Sequence, residues 1–145
     1  MNTETVEIAI DKYVHERMEQ GKKRASEHFL AYAYVKHSGD EIREFMKKAG
    51  GLARYYIDYL GVMENPFRGP EIGWSAAMLL VAIFSCYLIG LEEQRLLGML
   101  ILSGTLVHFC SLIVLMANKW SDTGVMIAIY REIAEIAESE AGRTA

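Results

Sequence analysis

Two long stretches of the chain carry no charged residue. The first runs from Ile72 to Leu91 (IGWSAAMLLVAIFSCYLIGL, 20 residues) and the second from Leu96 to Ala117 (LLGMLILSGTLVHFCSLIVLMA, 22 residues). A 20-residue helix rises ~30 Å, which is the hydrocarbon thickness of a bilayer. Between them lies a polar break, Glu92-Glu93-Gln94-Arg95, bracketed by Gly90 and Gly98. The pattern predicts an all-α, integral-membrane two-helix hairpin over residues 72–117, with spans at 72–91 and 96–117. The good helix formers in the break also allow one bent helix. The competing soluble arrangement buries both helices in a bundle, but only about 100 residues remain to jacket them.

Residues 1–71 read as a helical cytoplasmic region ending in an elbow at the membrane. Thr3 or Thr5 caps a first helix with Val6, Ile10, Tyr13, Val14 and Met18 on one side. Gly21 and Lys22-Lys23-Arg24 break or bend it, and Ala25–Val35 forms a second helix with Phe29, Tyr32 and Tyr34. Ser38-Gly39-Asp40 is a stop and a new cap, a short helix follows from Glu41 to Lys48, and Gly50-Gly51 is the next hinge. Tyr55, Tyr56, Tyr59 and Leu60 then share a helical stripe, suited either to the headgroup layer or to burial against the other helices. Pro66 and Pro70 mark 61–71 as the elbow.

Residues 118–145 form a C-terminal amphipathic helix, with Ser121 or Asp122 as its cap. Met126, Ile129, Ile133 and Ile136 follow the 3-4-3 spacing of a heptad seam, with Glu132, Glu135 and Glu138 off it. Two heptads are too short to associate alone. The seam serves self-association, aided by membrane confinement, or packs on the N-terminal helices.

Composition narrows the classes. With 52% hydrophobic and 23% charged residues, the chain is not disordered, and two prolines exclude a collagen-like chain. Cys86 and Cys110 are too few for a disulfide framework and fall at different depths of a hairpin, so no disulfide is expected. A net charge of −4 argues against nucleic acid as partner. Eleven of the fifteen Lys and Arg lie in residues 1–71, which favours both termini in the cytoplasm. No basic segment opens the chain as a secretory signal requires. Trp74 and Trp120 fall at the same interface of an antiparallel pair.

The candidate chemistry centres on His108, near the middle of the second span. Gly104, His108, Ser111 and Asn118 recur at helical spacing as a polar stripe, and the first span offers Ser75, Ala82, Ser85 and Cys86. The stripe packs helices, lines a conduction path, or places His108 as one ligand of a haem or metal shared with another subunit. Glu92 and Glu93 at the apex make a ring of acids in a symmetric oligomer, or simply solvate a turn. Asp11, His15 and Glu19 share one helix face at metal-ligand spacing, although a solvated charged face is the plainer reading; His28 and His37 stand apart. No phosphate loop, His-Glu-x-x-His, Cys-x-x-Cys or Gly-x-Ser-x-Gly is present, so neither an enzyme nor a resident cofactor is expected.

The expectation is a small two-span membrane protein that self-assembles as a channel, pore or membrane-perturbing effector. Its partners are the bilayer and either further copies or a larger membrane complex. The alternatives are an accessory or anchoring subunit of such a complex and a haem- or metal-binding membrane protein.

Overall fold

The computed structural model describes residues 3–64 and 69–143, and among them there is no strand. Five helices follow in order: α1 (Thr3–Gln20), α2 (Lys22–Lys36), α3 (Asp40–Met63), α4 (Pro70–Gly90) and α5 (Arg95–Arg143), with a 3-10 turn at Glu92–Gln94. The chain divides into two compact units, Met1–Gly61 with Gly124–Ala145, and Val62–Thr123. The sequence suggests three consecutive regions, 1–71, 72–117 and 118–145. Instead, the two outer regions share a unit, because the end of α5 completes the core begun by α1–α3.

In the first unit, Gly21 at φ 86° and Gly39 at φ 51° supply the left-handed turns that separate α1, α2 and α3. Each helix then buries one stripe at helical spacing. Val6, Ile10 and Tyr13 come from α1, Ala25, Phe29 and Ala33 from α2, and Phe45, Ala49 and Ala53 from α3. Ile129, Ile133 and Ala137 of α5 close the core. Edge-to-face contact of Tyr13 on Phe29 (5.7 Å) and the Phe29–Phe45 contact (5.8 Å) link three helices through rings.

Pairings along the helices give their directions. Tyr13 meets Phe29 while Glu16 meets His28, so α1 and α2 are antiparallel. Lys22 reaches Glu132 and Tyr34 reaches Glu140, so α2 runs with the end of α5. Gly50 abuts Ala137 while Tyr56 stacks on Tyr130, which sets α3 antiparallel to that segment. The result is a four-helix bundle.

Several local expectations are corrected. Gly50-Gly51 is not a hinge, and Glu41–Lys48 is only the start of the 24-residue α3. A Cβ on Gly50 would stand 3.3 Å from that of Ala137, so its glycine serves close packing within an unbroken helix. Neither Ser121 nor Asp122 caps a new helix, because α5 continues unbroken for 49 residues. The Thr123 hydroxyl donates back to the Lys119 carbonyl, and Gly124, at a cost of ~1 kcal/mol, is too weak a breaker alone. Met18 is 60% exposed, past the end of the buried stripe of α1. Pro66 lies outside the described residues, whereas Pro70 is the first residue of α4, where its missing N–H costs nothing.

In the second unit, α4 and residues 95–123 of α5 lie antiparallel. Near the turn Gly98 is packed on Ser85 and Ile89, and at the other end Lys119 Nζ sits 3.6 Å from Glu71 and 3.5 Å from Glu64. The 3-10 turn is closed by the Leu91 amide donating to Leu88 and that of Gln94 to Leu91. α4 begins two residues before the expected Ile72 and ends one before Leu91.

Candidate functional site

Two helices, α4 and α5, are long and apolar enough to cross a membrane. Only 11% of the most apolar window of α4 and 6% of that of α5 is buried, whereas the central helices of a soluble bundle would be covered all round. Leu79, Leu80, Ile83 and Phe84 on α4 and Leu106, Val107, Val114 and Leu115 on α5 are among the large apolar side chains left exposed.

The face each helix covers is narrow and built from small and hydroxylated residues. Ser85, Leu88, Gly98 and Thr105 are its buried members. A Cβ on Gly98 would lie 2.8 Å from both the Ile89 amide nitrogen and the Ser85 carbonyl oxygen, so this approach excludes any side chain. Five hydroxyls on these two helices bond within their own helix. Ser75 donates to Glu71, Ser85 to Val81, Ser103 to Met99, Thr105 to Ile101 and Ser111 to Val107, each to the carbonyl four residues back at 2.7–3.0 Å. Such bonds need neither water nor a second helix.

The predicted polar stripe is not this covered face. Gly104, His108, Ser111 and Asn118 are all exposed on α5. No hydrogen bond among the described residues reaches the His108 ring. Of the small residues singled out on the first span, Ser85 is buried, Ser75 and Ala82 are half-buried, and Cys86 is exposed. Cys86 and Cys110 are exposed and unbridged. Glu92 and Glu93 project from the 3-10 turn, and Trp74 and Trp120 are exposed at the opposite end, near the Glu64–Lys119–Glu71 cluster.

The heptad seam is occupied within the chain. Ile129 and Ile133 are in the bundle core, with Met126 and Ile136 packed against it. Sequence reasoning had no signal for what stands beside the seam. Glu132 accepts from Arg17 Nε (2.8 Å), Arg17 Nη2 (3.1 Å) and the Tyr13 hydroxyl (3.2 Å), with Lys22 at 3.7 Å. The Arg17 bonds hold the Glu132 carboxyl below the ordinary carboxylate range, while burial pushes the Tyr13 hydroxyl up. The tyrosine stripe divides: Tyr56 stacks on Tyr130 at 5.0 Å and Leu60 packs on the core, whereas Tyr55 and Tyr59 remain exposed.

Along α1, His15 pairs with Glu19 at 3.3 Å in the open, and Asp11 joins neither. Among the described residues, no three His, Cys, Asp or Glu side chains come together as a metal site. His28 meets Glu16 at 3.0 Å, and His37 stacks on Phe45 at 5.0 Å. No protein-family model matches the chain, and neither a curated protein nor a solved structure matches it significantly.

Proposed function

We propose that this chain is a two-span integral membrane protein whose copies assemble through the Gly104–His108–Ser111–Asn118 stripe into a small channel or pore. The observation that carries this reading is the exposed, unbonded His108 in the middle of the uncharged stretch 96–117 of α5. An imidazole facing lipid is costly, and intramembrane ionisable groups find a bundle interior or a water-filled cavity. α4 does not cover it, so the cover comes from outside the chain. A second copy presents the same stripe, and Ser111 and Asn118 are hydrogen-bonding partners at the same face.

The bilayer placement draws on the uncovered apolar surface and the internally bonded hydroxyls. It also draws on the charged borders, with Glu71 and Lys119 at one end and Glu92–Arg95 at the other. From Glu71 to Gly90 the helix rises ~30 Å. Both termini lie in the cytoplasm by the distribution of Lys and Arg. The seam of Met126, Ile129, Ile133 and Ile136 is already filled, so assembly does not use it. In the assembly Glu92 and Glu93 ring the mouth and concentrate cations there. The protein is not an enzyme in this reading.

Reconstitution into liposomes tests the pore. Cation flux that falls in both His108→Ala and Glu92→Gln supports it. Absence of flux from the wild-type protein, or flux unchanged in both variants, overturns it. Copurification of a stoichiometric foreign membrane protein in place of further copies identifies the chain as an accessory or anchoring subunit instead.

A further inference from the structure

The last turns of α3 carry a face that no helix of the chain covers. Tyr56 and Leu60 pack on the core, but Tyr55 and Tyr59, with rings stacked at 6.3 Å, are 60% and 46% exposed. Val62 and Met63, which follow on the same helix, are exposed as well. At ~100° per residue these four side chains leave α3 within an arc of about 100°. Two to three turns earlier the same arc carries Glu44 and Lys48, paired at 2.7 Å. Between Lys48 and Met63 no charged residue falls in it; Arg54 and Asp58 lie to one side. The face therefore grades along the helix from an ion pair, through two tyrosines, to two aliphatic side chains.

The aliphatic end is tied to the borders of the apolar stretches. Glu64 follows Met63 and lies 3.5 Å from Lys119 Nζ, which is itself 3.6 Å from Glu71. Lys119 and Glu71 are the nearest charges to the stretches 96–117 and 72–91 at that end. In the bilayer placement proposed above they mark the edge of the hydrocarbon, so Val62 and Met63 reach that edge. Measured along the helix from Met63, Tyr59 is at most ~6 Å and Tyr55 at most ~12 Å farther out. The headgroup layer on each side of a bilayer is ~5–8 Å deep. A tyrosine suits that layer, with its ring among the glycerol groups and its hydroxyl in water. A site for another protein gives no reason for polarity to fall toward the membrane border; a lipid surface does.

We infer that the Tyr55–Tyr59–Val62–Met63 face of α3 is a lipid-contacting surface that lies in the phospholipid headgroup and glycerol layer. The inference rests on the proposed bilayer placement and is independent of the pore.

The test places one tryptophan at a time in the full chain, in a Trp74→Phe/Trp120→Phe background reconstituted into phosphatidylcholine liposomes. Tyr59→Trp should be quenched by lipids brominated near the glycerol roughly twofold more than Lys48→Trp, which shares its face, and should be shielded from aqueous acrylamide. Val62→Trp, one turn on, should respond to deeper bromine than Tyr59→Trp. Helical circular dichroism should match the wild type in all three. Equal acrylamide access at Tyr59→Trp and Lys48→Trp without lipid quenching would overturn the inference. So would shielding of Tyr59→Trp without lipid quenching, because a protein then covers the face. Variants keeping only Trp74 or only Trp120 report on the spans in the same liposomes. Lipid quenching there but not at Tyr59→Trp or Val62→Trp removes this surface alone, whereas none at any position removes the bilayer placement with it.

Discussion

Arg17 holds Glu132 through both ends of its guanidinium edge, with Nε at 2.8 Å and Nη2 at 3.1 Å, joining the first helix to the last across 115 positions of sequence. Planar bidentate pairing fixes the register of the two helices as well as their proximity. Because Glu132 is mostly shielded and also accepts from Tyr13, removing one partner leaves the other groups under-satisfied. Arg17→Ala is expected to lower bundle stability by ~1–3 kcal/mol. Arg17→Lys should recover only part of it, because an ammonium cannot span both oxygens. Denaturant unfolding of the two variants, read by the bundle's near-ultraviolet signal, checks this; equal stability in wild type and Arg17→Ala would remove the pair from the account.

The same cluster predicts how stability follows pH. Glu132 is held below its ordinary range, chiefly by the Arg17 hydrogen bonds, so its contribution is present above the unfolded carboxyl pKa and is lost as pH falls through the lowered folded value. Tyr13 is raised, chiefly by burial, so its contribution is present below the unfolded tyrosine pKa and is lost as pH rises through the higher folded value. Bundle Tm should therefore hold steady near neutrality and fall at both extremes. The acid fall should be shallower in Glu132→Gln. An identical acid limb in that variant would contradict the assignment.

Packing of α4 on α5 depends on the absence of a side chain at Gly98. Gly98→Val places atoms against the Ile89 amide and the Ser85 carbonyl, which are backbone and cannot swing aside. A loss of ~1–3 kcal/mol in hairpin stability is expected. Gly124→Ala meets open space in a helix and should be neutral or stabilising by up to ~1 kcal/mol. Unfolding of both variants in mixed micelles separates the two cases, and a tolerated valine would refute the close approach.

Bilayer placement makes a depth prediction. In the proposed bilayer placement Trp74 and Trp120 share one interface, so lipids brominated at a shallow position should quench each of two single-tryptophan variants to a similar degree. Deep bromination should quench both weakly. Strong quenching of one by the deep label would break the antiparallel span assignment.

Much of this was legible in the chain, and the exceptions have a common cause. The two long apolar helices were readable because charge is absent from 72–91 and 96–117, and Gly21 and Gly39 marked turns that only a positive φ permits. Gly50 carries the same local signal but answers to Ala137, 87 residues away, so its role was invisible until the partner was known. Thr105 and Gly98 likewise looked no different from Ser111 and Gly104. Which of them faces α4 depends on the rotation of each helix, and composition all round an apolar helix does not set that rotation. The seam at Ile129 and Ile133 was recognised as a contact, but heptad spacing alone does not say whether the partner is another copy or the same chain.

The central claim is that copies meet through the stripe containing His108. Native mass measurement of the purified chain in detergent, wild type beside His108→Leu, tests it most directly. The account predicts a discrete oligomer for the wild type and a shift to monomer for the variant, with helical content retained in both. A wild-type monomer, or an oligomer of unchanged size in His108→Leu, would contradict it.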